Sequence, residues 1–287
     1  MRTILFTLLI LGSVLNSYGQ MTKSERYERG WNKLQAIDGE AGERVVNGLK
    51  DISPELSRFI IEYSFGNVYS MDYLDNKSKE IVAVSSLIAQ RAIPEMKVHL
   101  NGALNTGNTI NEVKEIIIQM SVYTGFPKSI CAMNTLREVL DERRNHGIID
   151  EEGFAFEEKE NNTRLQQGAK ELSFLDKNQE QILRDNFDSF SPELIQFTLE
   201  YAYADVYARS NLDKKSRQIA TIAALATLGN AVFQLKFHIN AGLNIGLTEN
   251  EIKEVMLLMT VYSGFPAAIN GMNVLKDVVN ERQINSH

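Results

Sequence analysis

The feature that most limits how this chain can fold is that most of it is written twice. "HLNGALNTGNTINEVKEIIIQMSVYTGFP", from His99 to Pro127, returns as "HINAGLNIGLTENEIKEVMLLMTVYSGFP", from His238 to Pro266. At an offset of 139 positions, residues 95–127 and 234–266 agree at 17 of 33 sites. Upstream the offset is 138: "SPEL" at Ser53 recurs at Ser191, and "LDNKSKEI" at Leu74 recurs as "LDKKSRQI" at Leu212. One residue gained between Gln90 and Pro94 accounts for the change, and a turn between helices is where a chain tolerates it. A tandem duplication of one structural unit follows.

The unit reads as helical. Residues 78–90, "SKEIVAVSSLIAQ", are apolar nearly all round, as in a helix buried on most faces. Pro94 suits the first turn of the helix that carries His99, and Gly107 its C-terminal end. Thr109-x-x-Glu112 forms a capping box for the next helix, repeated as Thr248-x-x-Glu251. That helix runs to Tyr123 and breaks at Gly125, and Pro127 opens another that ends near Arg143. The fold class expected is all-α, a tandem pair of domains of antiparallel helices.

Length and charge bound the rest. The 287 residues carry a net charge of −7, which argues against a nucleic-acid partner, since phosphate binding needs a concentrated basic face. Residues 1–19 combine Arg2, an apolar run over 4–14 and the small-x-small site Ser17-Tyr18-Gly19; they read as a secretory signal peptide, so the mature protein is expected to be exported, periplasmic or secreted. No other apolar run is long enough to span a bilayer, so no membrane span is expected. Cys131, the one cysteine, lies at helical spacing among apolar residues and is expected to be inert. The domains expected are 20–149 and 163–287, joined by an acidic linker, 150–162, which Phe154 and Phe156 would pin to a surface.

Two of the four histidines open the repeats. Glu95 and His99 are four apart and share a helix face, with Ala103 one turn on leaving space above the imidazole. A short turn near Ala92 would fold the helix bearing Glu80 back against them. Two carboxylates around one imidazole suit general acid–base chemistry. A purely structural hydrogen bond is the competing reading on these residues alone. Glu95, His99 and Glu80 are also the only candidate metal ligands, and no metal is expected from that set.

The pattern E-x-x-x-H-x-x-x-A-L-x-x-G-x-x-x-x-E-x-x-E, followed by Y-x-G-F-P, resembles the carboxymuconolactone decarboxylase family, which shares the alkylhydroperoxidase D fold. The resemblance covers roughly residues 50–143 and 190–281. It implies that the positions of the peroxidase branch's two thiols fall on Ala92 and Glu95, and on Ala231 and Gln234. None is cysteine, so a dithiol peroxidase is only a third reading. It also implies that Glu80 matches the family's proton-relay glutamate. The second copy keeps His238 but has Gln218 and Gln234 for Glu80 and Glu95. Glutamine orients an imidazole without taking a proton, so this copy is expected to be degraded and its "YSGFP" structural.

The reaction implied is a decarboxylation, or a related proton transfer, on a small carboxylated lactone or keto acid without any cofactor. His99 would give the proton, Glu95 and Glu80 would orient it, and Arg91 would grip an anionic substrate. Lys97, about 200° round the helix from His99, is the poorer cation. The alternative is a non-catalytic protein that binds a small molecule. The family's ring-forming habit and the apolar stripe Ile130, Met133, Leu136 and Leu140, repeated as Ile269, Met272, Leu275 and Val279, lead us to expect a closed homo-oligomer, a trimer.

Overall fold

The computed structural model describes residues 24–157 and 163–285; the expected signal peptide lies outside them. The first repeat runs α1 (Glu25–Ile37), α2 (Gly39–Gly48), α3 (Pro54–Phe59) and a π-helix, π1 (Ile60–Val68). It continues with α4 (Asn76–Gln90), α5 (Ile93–Asn105), α6 (Ile110–Thr124) and α7 (Phe126–Asn145). The second repeats the order: α8 (Arg164–Leu175), α9 (Gln179–Phe187), α10 (Pro192–Phe197), π2 (Thr198–Tyr207), α11 (Lys214–Leu228), α12 (Val232–Asn244), α13 (Glu249–Tyr262) and α14 (Phe265–Asn285). The fold is all-α, and no described helix is long and apolar enough to cross a membrane.

Local chemistry sets these boundaries twice over. Asp75 and Asp213 cap α4 and α11 by accepting from the backbone of Ser78 and Ser216. Thr109 and Thr248 close full capping boxes with Glu112 and Glu251. Pro94 sits in the first turn of α5, and Gly107, with φ 94°, follows its end. The length difference between the copies falls in the turn before α5 and α12, where Arg91-Ala92 is answered by Gly229-Asn230-Ala231.

The π-helices are packed rather than predicted. A Cβ on Gly30 of α1 would lie 1.9 Å from the Ile61 carbonyl oxygen, and one on Gly168 of α8 equally close to that of Leu199. Only glycine lets the two backbones approach this closely. The wide turn ends at Tyr69, whose N–H bonds the Ser64 carbonyl five residues back, and this aims the Tyr69 ring at α4.

The two repeats share one core. Its buried cluster takes Ile81, Val84 and Ile88 of α4 together with Ile219, Ile222 and Ala223 of α11, the two helices that meet at the centre. α13 packs on α4 and π1, and α6 packs reciprocally on α11 and π2. The seam is tied by two buried ion pairs of the same kind. Lys79 of α4 meets Glu254 of α13 at 3.1 Å, and Arg217 of α11 meets Glu115 of α6 at 2.9 Å. The acidic segment between the repeats is docked over its described part: the Glu151 and Glu152 carbonyls accept from Ile110 and Asn111, and Phe156 lies under the Arg209 guanidinium, whereas Phe154 is exposed.

Candidate functional site

α5 and α4 bring His99 and Glu80 together, as the fold-back near Ala92 requires. His99 Nδ1 is 3.0 Å from Glu80 Oε2, and both side chains are buried. Gly102 makes room for the carboxylates: a Cβ there would lie 2.5 Å from Glu80 Oε2 and 2.7 Å from Asp38 Oδ1. Asp38, at the junction of α1 and α2, puts Oδ1 3.8 Å from His99 Nδ1, and that oxygen has no hydrogen-bond partner among the described residues. The sequence reading missed it.

It missed two tyrosines as well. The Tyr69 hydroxyl donates to Glu80 Oε1 at 2.8 Å and shares a short hydrogen bond with the Tyr262 hydroxyl. Tyr262 comes from the second repeat, and its oxygen is 3.3 Å from His99 Nε2. The "YSGFP" turn, expected to be structural, therefore delivers a side chain to the first repeat's site. Gln90 fixes it there by donating to the Tyr262 carbonyl at 2.8 Å. The signal for both tyrosines was present, since Tyr69 and Tyr262 recur in the other copy as Tyr207 and Tyr123.

These contacts form a closed ring, Glu80–His99–Tyr262–Tyr69–Glu80, with four hydrogen bonds to fill. As a carboxylate Glu80 can only accept, so Nδ1–H and the Tyr69 hydroxyl both donate to it. Tyr262 must then donate to Tyr69, and Nε2 must donate to Tyr262. Around a carboxylate Glu80, the ring closes only when both imidazole nitrogens carry protons. The electrostatics agree. Burial alone would pull His99 down, but the Glu80 and Asp38 carboxylates outweigh it and hold the imidazole at about 9. Burial pushes the Asp38 carboxyl up to about 7, against the pull of His99.

The second repeat makes the same ring of residue types with the charge removed. His238 Nδ1 is 2.9 Å from Gln218 Oε1, Tyr123 lies 3.1 Å from Nε2, and Tyr207 lies 2.8 Å from Tyr123 and 2.7 Å from Thr221. Here a neutral imidazole satisfies every contact, and burial lowers His238 to about 3. Phe237 lies edge-on to His238 with centroids 4.8 Å apart, where the first repeat has Val98. Asp176, the counterpart of Asp38, accepts from the backbone of Asn178. α9 packs on α8 and α10, whereas α2 folds onto α5. Gln234, the counterpart of Glu95, is exposed.

α2 and α5 enclose a cavity of about 400 Å³ over His99. Asp38, Tyr69, His99 and Tyr262 are polar groups at its floor, Ser64, Gln90 and Glu95 add others to the lining, and Leu34, Val46, Ile60, Phe65, Leu87 and Val98 are among its walls. Glu95 lies exposed on the lining and reaches His99 only through its field, so the orienting contacts come from Glu80 and Tyr262 instead. Arg91, expected to grip the substrate, is the exposed left-handed cap of α4, with φ 59°, and does not line the cavity. Asp38, Glu80 and His99 place possible metal-ligand atoms within 4.8 Å of one another, but the 3.0 Å His99–Glu80 contact is a hydrogen-bond distance, and the set fits a shared proton better than an ion.

Comparison with known proteins agrees with the architecture. The carboxymuconolactone decarboxylase family matches residues 54–138 and again 192–277. The chain is 31% identical over 120 residues to the 4-carboxymuconolactone decarboxylase of Acinetobacter baylyi, covering 42% of this chain and 90% of that protein. It is 30% identical over 108 residues to the nitrosuccinic acid decarboxylase of Metarhizium robertsii, covering 37% of this chain and 76% of that one. A peroxisomal protein of Saccharomyces cerevisiae is 31% identical over 101 residues, 34% of this chain and 35% of its own length. With both repeats matched over more than half its length, the chain belongs to the carboxymuconolactone decarboxylase family.

Proposed function

We propose that this protein is a cofactor-independent decarboxylase that works by proton transfer at the His99 site alone. The observation that carries the reading is the hydrogen-bonded ring that closes only around a doubly protonated imidazole and opens onto a cavity. Loss of CO2 from a substrate carboxylate leaves an electron pair delocalised into an adjacent carbonyl, and the carbon must then be protonated. His99 Nε2–H faces the cavity and is the acid; Glu80 keeps Nδ1–H and steadies the ring in both protonation states. The Tyr262 hydroxyl, whose own proton goes to Tyr69, accepts from Nε2–H and holds that acid in place. Two relatives named for decarboxylations support the reaction class. The second repeat, with its neutral His238 site, we read as a scaffold whose contribution is Tyr262 and the symmetric packing.

His99→Asn tests this directly. Decarboxylation of carboxylated lactones and 3-oxo acids, followed as CO2 release, is expected to fall roughly 100-fold or more with the helical circular dichroism retained. Undiminished release by the variant would refute it, and binding without any conversion by the native protein would favour a non-catalytic receptor.

A further inference from the structure

We propose that the His99 cavity is built for an acid with a single carboxylate and a hydrocarbon body, a 3-oxo monocarboxylic acid being the simplest fit, and not for a di- or tricarboxylate. The inference rests on the reading of His99 as the proton donor and adds the substrate class.

It follows from where the positive charge is. No lysine or arginine is among the described residues lining the cavity. Arg91 caps a helix outside it, and Lys97 is spent on Glu142 at 2.6 Å. Arg44 lines a neighbouring groove and is largely exposed beside Glu40. The one cation on the floor, the His99 imidazolium, already faces Glu80 and Asp38. Glu95 adds negative charge to the lining. A second substrate carboxylate would therefore lie on the side chains of Leu34, Val46, Phe65 or Leu87, against an acid, or beside the neutral Ser64 and Gln90, with no cation to balance its charge.

A single carboxylate beside a carbonyl meets the opposite situation. Apolar walls raise the energy of the very charge that the reaction removes. The bond between the α-carbon and the carboxylate breaks, its electron pair moves into the carbonyl to form an enolate, and CO2 leaves. The His99 Nε2 proton then passes to the α-carbon, giving a ketone; His99 is left neutral and regains its proton from water. No oxidant, reductant or cofactor enters the balance.

The second repeat shows that the space is particular to the first. Phe237 stands where Val98 lines the cavity, and Ala241 where Gly102 frees Glu80 and Asp38. A single substitution, Val98→Phe, therefore copies a packing the fold already holds.

The test uses the full chain and two matched pairs of compounds. The first pair is 3-oxooctanoate and 3-oxooctanedioate, assayed for CO2 release. We expect kcat/KM for the monoacid to exceed that for the diacid by about 100-fold or more. The second pair is 3-hydroxyoctanoate and 3-hydroxyoctanedioate, which cannot decarboxylate by this route, with affinities read by calorimetry. Here the monoacid is expected to bind at least tenfold tighter, and Val98→Phe to abolish that binding with the circular dichroism retained. Equal or reversed preference in the inert pair, or unaltered binding by Val98→Phe, would overturn the proposal. Tight monoacid binding with no CO2 release from either oxo acid would leave the substrate class standing and refute the decarboxylase reading instead.

Discussion

The imidazoles of His99 and His238 are held by the same helices and differ chiefly in what accepts from Nδ1, a carboxylate in one repeat and an amide in the other. That exchange separates a group held at about 9 from one lowered to about 3. Glu80→Gln should therefore carry His99 most of the way to the behaviour of His238, which imidazole NMR titration would show as a downward displacement of two units or more. The sign of the linked stability follows. Folded His99 keeps a proton that the unfolded chain releases above 6.5, so its contribution is full below 6.5 and lost as pH rises through about 9. Asp38, raised from 3.8 to about 7, acts in the same direction at lower pH, and His238 acts oppositely, losing its contribution as pH falls from 6.5 toward 3. Between pH 7 and 9 His99 dominates the three. The melting temperature of the native chain should decline across that window, and that of Glu80→Gln should decline less; equal slopes would show that Glu80 does not hold the proton. Turnover should fall along the same alkaline limb as the acid is lost.

On the scale of single helices, α5 and α12 show how one small residue assigns a role. α5 must pass two buried carboxylates, so it carries Gly102; α12 passes none at the matching position and carries the buried Ala241. Gly102→Ala would drive a methyl group into Glu80 and Asp38, an overpacking that typically costs about 1–3 kcal/mol, and would break the His99–Glu80 contact. Ala241→Gly should cost about 1–2 kcal/mol, from helix propensity and the lost buried methyl, without touching a carboxylate. Chemical denaturation of the two variants, with the His99 titration repeated on the first, separates these effects. A Gly102→Ala chain with native stability and an unmoved titration would mean that the carboxylates have slack. Both helices are tethered alike, since Asn105 donates to the Ile37 carbonyl and Asn244 to that of Leu175, so the difference lies in the side chains they pass.

For the molecule as a whole, the seam between repeats is a place of high electrostatic stakes. Lys79 and Glu254 are both buried, and Glu254 also accepts from the backbone of Tyr73 and Leu74. Lys79→Met leaves that carboxylate without its cation and should cost about 3–5 kcal/mol in a denaturation series. The outer surface repeats as the inner one does. Ile52 and Phe190 are 81% and 88% exposed, and the pairs Leu56 and Leu194, Phe59 and Phe197, Phe126 and Phe265, and Ile130 and Ile269 are exposed in both copies. Tyr63 stacks on Phe265, and Phe126 packs against Tyr201, so each patch draws on both repeats. Two equivalent apolar patches on one chain suit a closed ring of chains, in which each patch meets its counterpart on a neighbour. We expect a trimer by light scattering, weakened by Phe59→Asp; a single species of one chain's mass would contradict it.

The sequence by itself determined what is local or repeated. Caps at Asp75 and Thr109, the turn that absorbs the extra residue and the pairing of Glu80 with His99 follow from side chains within a few positions of their partners, or from a fold-back across one short turn. The duplication also marked Tyr69 and Tyr262, although not what they touch. Tertiary structure alone decided the rest. Asp38 reaches His99 only because α2 folds onto α5, Tyr262 only because the second repeat packs its turn against the first, and Arg91 is lost to the site because the α4 C-cap points it elsewhere. Those outcomes depend on how apolar faces far apart in the chain share a single core, and no spacing along the chain encodes a distance across it.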